Sequence, residues 1–316
     1  MNTHDLEMLA RRTRALREGG VALLFASGLL ALFLFIPLRQ SAAPSATSIV
    51  IATSTTPNAF AHVPIEAKAA IVYDLARGKI LYAKNADAQL PLASLTKLLT
   101  LYAALSELSP NTPITIPASV THLSEPHAFS AGQVFTLSDL ARLTLTASLN
   151  DGAAAIALAT AARENDSESA MLAGAAAALN LAQTYAVNGN GLDVNTAISG
   201  GYGSAYDLAR LAGALVAKSP TITAATTHSS AQAVSEGGTF FSVKNTDPMV
   251  STIPHLLLSK TGYTDLAGGN LALVFDVGIG HPIAVIVLGS SLKARFTDGV
   301  ALVDATLAHF AGIASL

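Results

Sequence analysis

The 316-residue sequence contains no cysteine. That absence excludes a disulfide framework and a thiol nucleophile, and it suits either side of a membrane. Charge is also sparse. Only 12% of residues are Asp, Glu, Lys or Arg, the formal net charge is −3 and no long basic stretch occurs, so nucleic acid is not expected as a partner. The eight histidines show no paired spacing of the kind that holds a metal, and neither a metal nor a cofactor is expected. No internal repeat is visible. Apolar residues, by contrast, make up 51% of the chain, enough to bury one large globular core.

The longest apolar run covers residues 19–38 and carries no charge. At about 1.5 Å per helical residue, it spans roughly the 30 Å hydrocarbon layer of a bilayer. Arg11, Arg12, Arg14 and Arg17 precede it and only Arg39 follows closely, which orients residues 1–18 to the cytoplasm and the rest outside. The expectation is a single-pass cell-membrane anchor with an extracytoplasmic domain. A cleaved signal peptide is the alternative, because Ser41-Ala42-Ala43 offers small residues to a peptidase. Residues 39–66, rich in Ser, Thr, Ala and Pro, read as a flexible tether.

The remaining residues, 67–316, read as one domain. Ala69 to Tyr73 and Lys79 to Tyr82 form two strand patterns joined by turn chemistry. From there to about residue 218 the period is helical, with Thr136-Leu137-Ser138-Asp139 as a capping box, so an all-helical lobe is expected. Strand patterns return at Leu256 to Lys260, Leu271 to Phe275 and Ile283 to Leu288, and a helix from about Asp298 to Phe310 follows. Two early and three late strands predict an α+β fold. One antiparallel sheet of about five strands is assembled from both ends of the domain, with the helical lobe inserted between them.

Three short segments carry chemistry. Ser94-Leu95-Thr96-Lys97 opens a helical pattern in which Leu95, Leu98, Leu99, Tyr102 and Leu105 share a face. Positions three apart on a helix are neighbours, so the Lys97 amine can reach the Ser94 hydroxyl and act as its base. A free lysine is protonated at neutral pH. Burial, a second cation at Lys260 and the positive helix end are the expected causes of a lowered Lys97 pKa. Ser290-Ser291-Leu292-Lys293 fits the same spacing but has no helix beneath it.

Ser148-Leu149-Asn150 lies where one helical pattern stops and another starts. It reads either as a plain capping turn or as a site. In the second case Ser148 relays a proton between Lys97 and a leaving amine, Asn150 holds the substrate backbone and Leu149 packs inward. Lys260-Thr261-Gly262 ends a strand pattern and offers a cation, a hydroxyl and room for a backbone. The plain reading there is a strand that finishes in an exposed lysine and a turn. Backbone N–H groups of Ser94 and Tyr263 are the natural donors to an oxyanion.

Together, Ala93-Ser94-Leu95-Thr96-Lys97, Asn150-Asp151-Gly152-Ala153 and Lys260-Thr261-Gly262-Tyr263-Thr264 with Ala267-Gly268 resemble the D-alanyl-D-alanine carboxypeptidase family of low-molecular-mass penicillin-binding proteins. Asn188 and Gly191-Leu192 resemble a family turn between lobes, and the likeness covers roughly residues 67–316. It implies a β-lactamase/transpeptidase-like fold, peptidoglycan stem peptides as substrates and β-lactams as covalent inhibitors. It implies Ser94, Lys97 and Ser148 as catalytic, and Asn150, Lys260, Thr261, Gly262, Tyr263 and Arg295 as substrate-binding. For Arg295 a surface arginine is the alternative reading. Met171-Leu172 stands where the family usually has Met-Asn, which is expected to be a packing change.

The leading expectation is therefore a serine D,D-carboxypeptidase, with an endopeptidase that cuts cross-links as its rival. A class A β-lactamase needs a glutamate three residues before Leu179-Asn180, where Ala176 stands, so fast β-lactam hydrolysis is not expected. A catalytically idle wall-binding protein is the alternative from outside enzymology.

Overall fold

Alternating aliphatic side chains build the sheet from both ends of the domain. In the computed structural model, β1 (Ala69–Asp74) and β2 (Lys79–Lys84) form an early hairpin. β3 (Leu256–Thr264), β4 (Gly268–Asp276) and β5 (Pro282–Ser290) form a late meander. β5 pairs with β1, which gives the order β3-β4-β5-β1-β2 with every pair antiparallel. The expected α+β sheet of five strands is present.

Side chains two apart share a face of a strand. Leu271, Leu273 and Phe275 of β4 and Ile283, Val285 and Val287 of β5 meet Leu302 and Val303 of the last helix, α6 (Ala294–Phe310). Ala272, Val274, Ala284 and Ile286 face the other way, into the larger core shared with the inserted lobe. Burying each of the larger aliphatic side chains contributes about 1.5–3 kcal/mol. α6 begins four residues before the expected Asp298. Asp298 instead ties the chain's entry to the sheet, accepting from the N–H groups of Glu66 and Ala67 and from Ser290 Oγ.

The lobe contains α1 (Thr96–Glu107), α2 (Leu137–Ala147), α3 (Asn150–Glu164), α4 (Glu168–Ala178) and α5 (Ala205–Lys218). α5 lies against β1, β4 and β5, and α1 packs among α3, α4 and α5. Leu95, Leu98 and Leu99 are buried as expected, but so are Lys97, Thr100, Leu101, Ala103 and Ala104. α1 is therefore a central helix rather than an amphipathic one. The Thr136 hydroxyl caps α2 by accepting from the Asp139 N–H at 3.1 Å, as its sequence indicates.

The lobe is not all-helical. Leu90–Pro91, Gly201–Gly203 and Tyr185–Ala186 make a small three-stranded sheet, and Pro113–Thr115 pairs with Val134–Thr136. These strands are two or three residues long, too short to express a period. A separate hairpin of Ser230–Val234 and Phe240–Lys244, turning through Gly237 and Gly238, packs against α2.

The structure describes residues 58–312. The expected cytoplasmic tail at 1–18, the transmembrane segment at 19–38 and the tether up to residue 57 lie outside the described residues. Within residues 58–66 the tether reading is corrected. Phe60 is buried in the core under α6, against Tyr82 and His309, because its ring finds an apolar partner surface there. Among the described residues, no helix is long and apolar enough to cross a membrane.

Candidate active site

Ser94 sits in the middle of a 3-10 turn, Ala93–Leu95, that leads into α1. Ala93 holds φ +48°, a left-handed conformation that costs a residue with a side chain about 1–2 kcal/mol. Such strain persists only where surrounding structure fixes it. Here Gly191 does so, pressed so closely on the Ala93 carbonyl that any Cβ would collide, and its φ of +78° is one that glycine adopts freely.

Lys97 follows one helical turn later, as the Ser-x-x-Lys spacing requires. Its Nζ lies 2.7 Å from Ser94 Oγ, 2.8 Å from Asn150 Oδ1 and 2.7 Å from the Asn190 carbonyl oxygen. Burial lowers the Lys97 pKa to about 7, against an opposing pull from the Asp151 carboxylate. Lowered this far, the amine is available in its neutral, proton-accepting form near neutral pH. Asp151 is itself occupied, accepting from the N–H groups of Ala128 and Phe129.

The second segment turns between α2 and α3. Ser148 adopts φ +61° at the end of α2, and Leu149 is buried in the larger core as expected. The Ser148 hydroxyl accepts from Lys260 Nζ at 2.8 Å. Its hydrogen-bond partner is thus Lys260, where the sequence reading had linked it to Lys97. Since it accepts that bond, its own proton remains free to donate. Asn150 uses its Nδ2 on the Ser124 carbonyl at 2.8 Å, so both ends of the amide are held.

Lys260, Thr261 and Gly262 lie inside β3 rather than at its end, because β3 pairs with β4 as far as Thr264. Lys260 is buried and also donates to its neighbour's carbonyl, Thr261 O, at 2.7 Å. Burial lowers its pKa well below the usual lysine range, and the cations Lys97 and Arg295 lower it further. The repulsion expected at Lys97 is thus expressed at Lys260, the amine with a second cation, Arg295, acting on it.

Gly262 brings β3 onto the nucleophile turn. A Cβ there would stand 2.9 Å from Leu92 O and 3.3 Å from the backbone nitrogens of Ser94 and Leu95. β3 is also an edge strand of its sheet. Arg295 is buried, which corrects the surface reading, and its Nη1 donates to the Gly262 carbonyl at 2.6 Å. Tyr263 is exposed and lines a groove of about 780 Å³ with Ser124, Asn190, Asp193 and Glu168.

Ser94, Lys97 and Asn150 therefore form one connected group, and Ser148, Lys260 and Thr261 a second beside it. Sequence reasoning missed two members. Asn190 acts through its backbone carbonyl, which no side-chain pattern reports. Thr246 lies with its Oγ1 2.6 Å from Thr261 Oγ1 and belongs to none of the three motifs. In the look-alike segment Ser290 is bonded to Asp298, and Lys293 is exposed. Ala176 and Met171 are core residues of α4.

Comparison with known proteins gives the same frame. The chain is 29% identical over 268 residues to a D-alanyl-D-alanine endopeptidase of Pseudomonas aeruginosa, covering 81% of this chain and 83% of that one. It is 29% identical over 254 residues to the D-alanyl-D-alanine carboxypeptidase DacF of Bacillus subtilis, covering 78% of this chain and 63% of that longer protein. Penicillin-binding protein D2 of Listeria monocytogenes, solved in an ampicillin-bound form, superimposes with a TM-score of 0.65 at 26% identity, over 77% of this chain and 98% of that one. Residues 53–291 match the family model described as D-alanyl-D-alanine carboxypeptidase, a span that holds all three motifs and stops short of Arg295. The chain belongs to the D-alanyl-D-alanine carboxypeptidase family.

Proposed function

We propose that the protein is a serine D,D-peptidase that removes the terminal D-alanine from peptidoglycan stem peptides through an acyl-enzyme on Ser94. The observation that carries this reading is the 2.7 Å contact between Ser94 Oγ and the amine of Lys97, a lysine buried so fully that its ammonium form is disfavoured. Neutral Lys97 takes the hydroxyl proton as Oγ bonds to the carbonyl carbon of the penultimate residue. The carbonyl oxygen becomes an oxyanion, received by the N–H groups of Ser94 and Tyr263. Its collapse breaks the C–N bond, and the proton that Lys97 took passes through Ser148 to the leaving nitrogen, which leaves Lys97 neutral again to deprotonate the attacking water. Water then cleaves the ester and restores Ser94.

In the same reading the substrate backbone lies along the free edge of β3, with Asn150 and Gly262 beside it. Lys260, Thr261 and Arg295 receive the terminal carboxylate, and Arg295 supplies the cation whatever the proton occupancy of the two amines. β-Lactams occupy the same place as covalent inhibitors. Residues 19–38 anchor the chain in the cell membrane, residues 1–18 stay in the cytoplasm, and the described domain works outside; the uncharged run and the arginines before it support this.

The likeness to an endopeptidase supports a second substrate, the cross-link itself. The test is the full chain incubated separately with a stem pentapeptide and with a cross-linked dimer. Release of free D-alanine from the pentapeptide, lost in Ser94→Ala, is the expected result. Cleavage of the dimer alone assigns the endopeptidase role, and cleavage of neither contradicts the proposal.

A further inference from the structure

Just ahead of β3, Asn245, Thr246 and Asp247 are held in place from three directions. Asn245 Nδ2 donates to the carbonyls of Thr226 and His228, each at 2.8 Å. The Thr246 N–H donates to the Thr146 carbonyl at 3.1 Å, which ties the segment to the end of α2 beside Ser148. The buried Asp247 carboxylate accepts from Ser259 Oγ at 2.6 Å and from the Met249 N–H at 2.8 Å. Thr246 is therefore fixed between the Ser148 turn and β3.

We infer that Thr246 is a positioning residue for Thr261 and sets the preference for substrates with a free C-terminal carboxylate. This rests on the active-site reading given above. The two hydroxyl oxygens are 2.6 Å apart, so one bond joins them and consumes one of their two O–H protons. When Thr246 donates, the Thr261 rotor is fixed and its own proton is left to point at an acceptor. A hydroxyl that accepts one hydrogen bond donates a second more strongly, and a carboxylate is the acceptor that draws most on it. Thr261 is only 3% exposed, so water does not replace the lost neighbour easily.

The test compares acylation of the full chain by benzylpenicillin with acylation by its carboxylate methyl ester, in Thr246→Val, Thr246→Ala and Thr246→Ser. Thermal melting of each variant is recorded alongside. Valine keeps the shape of threonine and removes the hydroxyl, and alanine removes it by a second route. The expected result is a loss of about ten-fold in the rate with the free acid, the size of one hydrogen bond. The ester rate is expected to stay unchanged, and serine to restore the acid rate. Equal slowing of acid and ester, or no change in either, overturns the assignment to the carboxylate. Failure of the unaltered protein to form any adduct at Ser94 overturns the active-site reading and this inference with it.

Discussion

Replacing Gly262 by alanine probes the closest approach in the site, that of β3 to the nucleophile turn. The new Cβ would meet Leu92 O at 2.9 Å and the nitrogens of Ser94 and Leu95 at 3.3 Å. All three are backbone atoms, so no side chain can swing aside. Ordinary contact for a Cβ starts at 3.4 Å, so β3 must retreat by about half an ångström. Displacing reacting groups by 1 Å costs about 10²-fold, and half that displacement corresponds to about ten-fold in acylation. Overpacking adds a stability loss of about 1–3 kcal/mol, worth about 2–4 °C in Tm per kcal/mol at this size. The assay is the second-order rate of acylation by benzylpenicillin, with thermal melting in parallel. Gly278→Ala, in the turn between β4 and β5 with no atom within 4 Å of the added carbon, is the neutral control. Full acylation and an unchanged Tm in Gly262→Ala would refute the contact. A lowered Tm with full acylation would show that the gap between β3 and the turn is not where the acyl group binds.

Two further perturbations address the base and the look-alike motif. The acylation rate is expected to rise with pH through about 7, since protonated Lys97 cannot accept the Ser94 proton and the neutral amine dominates above that value. Asn150→Asp sets a carboxylate where Oδ1 now lies 2.8 Å from the amine, stabilises the ammonium form and moves the rising limb up by about 1–3 pH units. A pH profile with the limb unmoved contradicts Lys97 as the base. Ser290→Ala removes the bond to Asp298 and is expected to cost about 1 kcal/mol in urea unfolding while leaving penicillin labelling intact. Loss of labelling in a folded Ser290→Ala protein contradicts the choice between the two Ser-x-x-Lys segments.

Much of this site was legible because its chemistry lies in short segments. Ser94 and Lys97 are joined by one helical turn, so their contact follows from local geometry. The five sheet strands were visible because Leu271 to Phe275 and Ile283 to Leu288 are long enough to show strand character. Other features depend on tertiary placement. The Asn190 carbonyl reaches Lys97 because Asn188 and Gly191 shape the turn around it, with the Gly191 N–H bonded to Asn188 Oδ1. Any residue type could present that carbonyl, so the sequence is silent. The hydroxyl of Thr246 meets that of Thr261 across a loop, and the position of Arg295 behind Gly262 depends on how α6 docks against the sheet. Phe60 falls in a stretch whose richness in Ser, Thr, Ala and Pro reads as a tether, whereas its ring is buried against residues from β2 and α6.

The most direct measurement is the intact mass of the full chain after incubation with benzylpenicillin, for the unaltered protein and for Ser94→Ala. The account requires one long-lived penicilloyl adduct on the unaltered protein, none on the variant, and peptide mapping that places the adduct on Ser94. An adduct that persists in Ser94→Ala, or one that maps to Ser290, contradicts it.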